Sequence, residues 1–238
     1  MSMPRQVSIK CEQCAKVHPF TAWDSLNVTL DRDAKDQLLK GELTRFKCPD
    51  CGWSGNVLYS MLYHDMEKRL MVWLCPVTGD PDESPAPIMS SMEDYQFRIV
   101  STRNRLVEKI YLFDSGLDDR LVEFLKLVLQ IKASDGAHPL PGEILFSALK
   151  RQPDGAESLE FAHMSEAGSE VFVLPRQHYQ RIADSFAAKL PSLQSQAAQW
   201  LRVDRAFAES LAPRLLRAGP STSSSSPPKE NPPLDFRR

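Results

Sequence analysis

Cys11-Glu12-Gln13-Cys14 and Cys48-Pro49-Asp50-Cys51 are two C-x-x-C knuckles. Two intervening residues let a tight turn aim both sulfurs at one point, about 2.3 Å from a metal ion. Each knuckle supplies half of a tetrahedron, and Gly52 directly after the second permits the chain to leave the turn with positive φ. Four thiolates close the shell of one Zn2+ and leave no position for water or substrate, so Cys11, Cys14, Cys48 and Cys51 read as a structural site. Four cysteines can also hold an iron–sulfur cluster. A lone C-x-x-C can be a redox pair, but two of them without a surrounding βαβ pattern argue against that chemistry.

Other residues could carry chemistry, and each has a plainer reading. Cys75 ends a strand before Pro76 and reads as a small buried hydrophobe. His64-Asp65 could orient an imidazole on a carboxylate, but neighbours on a strand face opposite ways, so turn chemistry is favoured. Asp118-Asp119 suits the N-terminus of a helix, where acids cap free N–H groups. Trp23, Trp53 and Trp73 read as core around the metal module, and His18, His138, His163 and His178 stand isolated. The chain holds no G-x-S-x-G, no H-E-x-x-H and no phosphate-binding glycine loop. No catalytic residue is assigned, and whether the protein is an enzyme stays open.

The elements that must position the cysteines follow from pattern. The stretch between the knuckles exceeds the roughly 15–20 residues of the compact zinc pattern. A helix over 32–40 fills it, with Asp31 or Asp33 as N-cap and Gly41 as stop. Residues 56–63 and 70–74 read as strands joined through His64–Lys68. Leu117, Leu121, Phe124, Leu125 and Val128 recur at helical spacing. Lys109–Phe113 fits helix or strand equally, and Asp114-Ser115-Gly116 breaks the chain after it. Residues 143–149, 158–163 and 170–174 suggest a small antiparallel meander. Tyr179, Ile182, Phe186 and Leu190 mark one further helix, and Trp200, Val203, Phe207, Leu211 and Leu215 another, broken or bent at Pro213.

The bulk properties fit an ordinary globular chain: 238 residues, 42% hydrophobic, 25% charged, formal net charge −2. Cations are spread along the chain, so nucleic acid is disfavoured. No apolar run approaches the roughly 18 residues a bilayer needs, and Met1–Ser8 has no apolar signal core. The expected location is the cytoplasm, with reduced thiols. Five cysteines in such a compartment point to metal, not disulfides.

The motifs together resemble the CpXC domain family. The resemblance rests on Cys48-Pro49-Asp50-Cys51 after Gly41-Glu42-Leu43, on Leu62-Tyr63-His64-Asp65, and on Val72-Trp73-Leu74. It continues through Arg98-Ile99-Val100, Leu106 to Ile110 and Leu117 to Arg120. Glu12 stands where the first knuckle of the family carries proline, which removes no ligand. The resemblance implies a zinc-binding bacterial domain and supplies no catalytic residue.

The expected fold is α+β. A zinc ribbon with an inserted helix and β-hairpin occupies residues 7–133, including a Pro-rich acidic linker at 76–92. A helical and antiparallel β region follows at 134–218, then a disordered tail at 219–238, rich in serine and proline. The expected function is a zinc-stabilised module that binds another protein and no membrane. The alternatives are an enzyme with its site in the C-terminal half and a nucleic-acid-binding ribbon.

Overall fold

A computed structural model describes residues 2–76, 92, 94–134, 140–187 and 199–216. The linker at 76–92 and the tail at 219–238 fall almost wholly outside these residues, as does His138. The chain is mixed α+β and divides into two compact units, one drawn from Met1–Val107 and Gln196–Arg202, the other from Glu108–Ser195 and Val203–Arg238.

The first unit opens on a long hairpin, β1 (Met3–Lys10) and β2 (Val17–Asn27), paired from Lys10↔Val17 outward. Helix α1 (Arg32–Lys40) buries Ala34 and Leu38, one turn apart on one face. Asp31 stands at its N-cap position but its side chain makes no capping bond. Gly41 ends the helix in the left-handed region at φ 78°, and Arg103 covers the same end by donating to the Leu38 and Leu39 carbonyls at 2.7 Å each. A 3-10 turn (Glu42–Thr44) leads into β3 (Arg45–Lys47), which pairs antiparallel with β4 (Ser54–Asn56) as a separate two-stranded sheet.

The chain then joins the main sheet through β5 (Met61–Asp65), β6 (Leu70–Leu74) and β7 (Gln96–Val100). The order is β1-β2-β5-β6-β7, with β2–β5 and β6–β7 parallel and the other neighbours antiparallel. The strand expected over 56–63 is therefore two strands. Asn56 ends β4, Val57 donates to Thr44 at 2.7 Å, Tyr59 donates its hydroxyl to Leu43 at 2.9 Å, and β5 begins at Met61. A continuous strand could not serve both sheets. Met61, Tyr63, Leu70, Val72 and Leu74 are each at most 1% exposed and form the heart of this unit with Leu26 and Leu38. Full burial of such a side chain contributes about 1.5–3 kcal/mol.

Trp200 is not on a helix. Leu201 bridges to Arg98 and exchanges hydrogen bonds with Phe97 and Ile99, so this segment is extended along β7, and Trp200 packs edge-on against Phe97 at 5.2 Å. Its spacing to Val203 and Phe207 matches a helical repeat without belonging to one.

The second unit is built on α2 (Arg103–Asp114), within which the boundary between units falls, and α3 (Asp119–Ala133). Lys109–Phe113 is helical. Gly116, at φ 66°, ends α2, and Leu117 donates back to Leu112 at 3.0 Å. The meander forms as β8 (Glu143–Arg151), β9 (Glu157–Ser165) and β10 (Gly168–Pro175), all antiparallel in the order β10-β9-β8. Helices α4 (Arg176–Phe186) and α5 (Arg205–Leu216) complete it. Asp204 caps α5 through the Phe207 N–H at 3.1 Å, and α5 runs past Pro213 instead of stopping there. Leu121, Val122, Leu125, Phe146, Leu159 and Phe161 anchor the core.

This unit also buries charge. Lys109 and Asp119, each 1% exposed, pair at 2.8 Å, and Lys109 also donates to the Val203 carbonyl. Lys126 bridges Glu108 and Glu123 at 2.9 Å each, and Glu108 accepts the Phe146 N–H at 2.7 Å. Of the two acids expected to cap α3, Asp118 does so through the Arg120 N–H. Asp119 instead serves as the counter-charge of Lys109.

Candidate metal centre

Each knuckle forms the turn that joins an antiparallel strand pair. Cys11 follows β1 and Cys14 precedes β2, while Cys48 follows β3 and Cys51 precedes β4. The two turns share one hydrogen-bond pattern. The first cysteine donates its N–H to the residue five positions on, Lys16 for Cys11 at 2.8 Å and Trp53 for Cys48 at 2.7 Å. Its carbonyl accepts from the residue four positions on, Ala15 and Gly52 respectively, each at 3.0 Å. That residue must take a left-handed conformation: Gly52 does so at φ 75°, Ala15 at φ 61°. Glycine adopts this region freely, and alanine does so at a steric cost.

The folded turns bring all four Sγ atoms within 4.8 Å of one another, with Cys11–Cys51 and Cys14–Cys48 at 3.6 Å. Sulfurs bound at 2.3 Å around one tetrahedral ion would stand about 3.8 Å apart. The donor set therefore fits one ion held by Cys11, Cys14, Cys48 and Cys51. Cys11 and Cys48 are buried, Cys14 is half-buried, and Cys51 is the exposed corner.

Main-chain N–H groups are aimed at the sulfurs in the same repeated way. Burial acts to raise the Cys11 thiol, but the N–H groups of Cys14 and Gln13 and the neighbouring thiols bring it down to about 7. Cys48 behaves alike: burial opposes, and the N–H groups of Cys51 and Asp50 win, lowering it. The second cysteines receive fewer donors. The Trp53 N–H favours the Cys51 thiolate, yet burial and the three other thiols push Cys51 up to about 12. Cys14 is likewise raised despite the Lys16 N–H. Four like-charged sulfurs cannot all ionise at one point without a cation, a charge that a bound divalent ion would supply.

Further groups support the sulfurs. His18 places Nε2 at 3.5 Å from Cys48 Sγ and 3.0 Å from the Asp50 carboxylate, which Lys16 also holds at 2.8 Å. The Asp50 carboxyl lies below its usual range because Lys16 donates to it. Behind the site Phe46 packs with Trp53 at 6.3 Å and Phe20 at 6.4 Å, closing an apolar cluster around Cys11 and Cys48. Trp53 crosses Gly55 so closely that a Cβ there would fall 2.2 Å from the ring.

Residues 9–126, which run from the end of β1 into α3, match the family model described as CpXC protein. These residues belong to the CpXC family. No curated protein and no solved structure matches the chain. The CpXC domain thus carries its four cysteines as one cluster, which marks it as a metal-binding module.

The remaining candidates lie elsewhere. His64 and Asp65 do not pair with each other. Asp65 accepts the Lys68 N–H at 3.0 Å in the β5–β6 turn, and His64 faces Tyr95 and Asn27 at 3.4 Å each. Burial, weakly opposed by the nearby Asp65, lowers the His64 imidazole. Cys75 is half-buried beyond β6 and its N–H pairs with the Val100 carbonyl. Trp53 alone of the three tryptophans packs into the apolar cluster beside the cysteines. His163 and His178 are buried in the second unit, bonded to Pro141 and Arg181. Sequence reasoning left His18 isolated, because only the meeting of the two knuckles in space sets this β2 residue beside Cys48.

Proposed function

We propose that the four thiolates hold one structural Zn2+, that the two knuckles and their strand pairs form a zinc ribbon, and that the first unit serves as a rigid platform for another protein. The observation that carries the reading is the meeting of four sulfurs at the spacing of a single tetrahedral ion. An iron–sulfur cluster would need its sulfurs spread around several metal atoms. The shell is complete with protein ligands, so the ion can stabilise but cannot receive a substrate.

Protein is preferred to nucleic acid because the chain's net charge is −2 and its cations are dispersed. A zinc-bound pair of hairpin ends offers strand edges, and exposed edges are natural acceptors of a second polypeptide. Affinity purification of the tagged protein after mild crosslinking tests the platform. A specific partner should copurify and should be lost when the metal is stripped by a chelator. Equal recovery with and without metal, or no partner at all, would count against this function.

A further inference from the structure

Resting on the protein-binding reading above, we propose that the groove between β2 and β3 takes an extended acidic segment of the partner, which adds as a strand to the free edge of β3. The groove has a volume of about 360 Å³ and is walled by His18, Phe20 and Thr21 on one side and by Arg45, Phe46 and Lys47 on the other.

The main chain of β3 is the first argument. Its two ends are closed onto β4 by the Thr44–Val57 and Cys48–Trp53 hydrogen bonds. Antiparallel pairing alternates, so Phe46 directs its peptide groups to β4 as well. The Arg45 carbonyl and the N–H and carbonyl of Lys47 then face the opposite edge. Among the described residues no strand pairs with that edge. It is a short template for one more strand.

Charge is the second argument. Arg45 and Lys47 are exposed and form no ion pair among the described residues. Asp50, next to the groove residue Pro49, is already held by Lys16 and His18. Arg45 and Lys47 share one face of β3, about 7 Å apart, as alternate strand residues do. An added strand with acids at alternate positions would set a carboxylate beside each cation. The residue between them would face the side of Phe46, so an apolar residue fits there. The preferred sequence is acid–apolar–acid in extended form. Two cations are too few to track a phosphate backbone, which draws on many contacts.

Panning a displayed random dodecapeptide library against the zinc-loaded full chain tests this. Enriched peptides should carry two acids separated by one apolar residue. A synthetic enriched peptide, followed by fluorescence anisotropy, should bind at least tenfold more weakly to Arg45→Glu/Lys47→Glu and equally well to the control Lys150→Glu. Both variants should retain the zinc content of the parent, because the altered side chains are exposed. Enrichment of peptides without the acidic pattern, or binding that survives in the double variant, would overturn the groove assignment and leave the protein platform standing. Failure to enrich any peptide, or loss of oligonucleotide instead of peptide binding in the double variant, would also overturn it.

Discussion

Lys126→Met removes the cation that stands between two buried carboxylates. Lys126 Nζ lies 2.9 Å from both Glu108 and Glu123, and those acids are 3% and 6% exposed. Methionine matches the stem of lysine in shape but leaves the carboxylates facing each other without compensation. Breaking a buried pair in this way costs about 3–5 kcal/mol. The loss should depend on pH. Burial already raises the Glu123 carboxyl above its ordinary value, against the pull of Lys126, and removing Lys126 raises it further. An acid whose folded pKa is raised destabilises the fold when ionised. Its penalty is absent below the unfolded carboxyl value and complete above the folded one. The deficit of Lys126→Met should therefore shrink as the pH falls toward the carboxyl range. Glu123→Gln, which leaves a single Lys126–Glu108 pair, should change stability by no more than about 1 kcal/mol at neutral pH. Urea unfolding with hydrogen exchange on α3 peptides reads these effects in the second unit. A loss below about 1 kcal/mol for Lys126→Met, or one that is the same at pH 5 and pH 8, would refute the reasoning.

Other substitutions probe the metal centre. Cys48→Ser should destabilise the first unit far more than Cys75→Ser, because metal binding is coupled to folding and Cys75 lies outside the cluster. Comparable shifts in melting temperature would remove the distinction. Gly52→Ala places a Cβ at φ 75° in open space, so it should cost about 1 kcal/mol through backbone strain alone. Ala15→Gly, at the matching position of the other knuckle, should be neutral or slightly stabilising. A thermal melt of the zinc-loaded proteins decides both, and a reversed order would sink the equivalence of the two turns.

The knuckles were legible because two-residue spacing is local and its chemistry is specific. Helix α1 was legible for the same reason, since Gly41 supplies the conformation that ends it. The β1–β2 hairpin was not. The first four residues of β1 are all exposed, only Val7 and Ile9 alternate with Ser8 and Lys10, which is too short a run to mark the strand, and β2 contains Pro19. Alternation from the Cys11–Lys16 hydrogen bond turns the Pro19 nitrogen away from β1, where a missing N–H does no harm. The buried charges were hidden because Glu108, Lys109, Glu123 and Lys126 read singly as the polar positions of helices. Only the packing of α2 on α3 matches each charge to its counter-charge. Trp200 shows the reverse error, a helical spacing arising by chance across an extended segment.

Metal analysis bears most directly on the central claim. The full chain, purified without added metal, should contain one zinc per molecule by elemental mass spectrometry, and Cys48→Ser should lower that content. The expectation rests on the four sulfurs of Cys11, Cys14, Cys48 and Cys51, which lie close enough together to hold one tetrahedral ion. Zinc near zero, with iron and sulfide in its place or with no metal at all, would contradict the account.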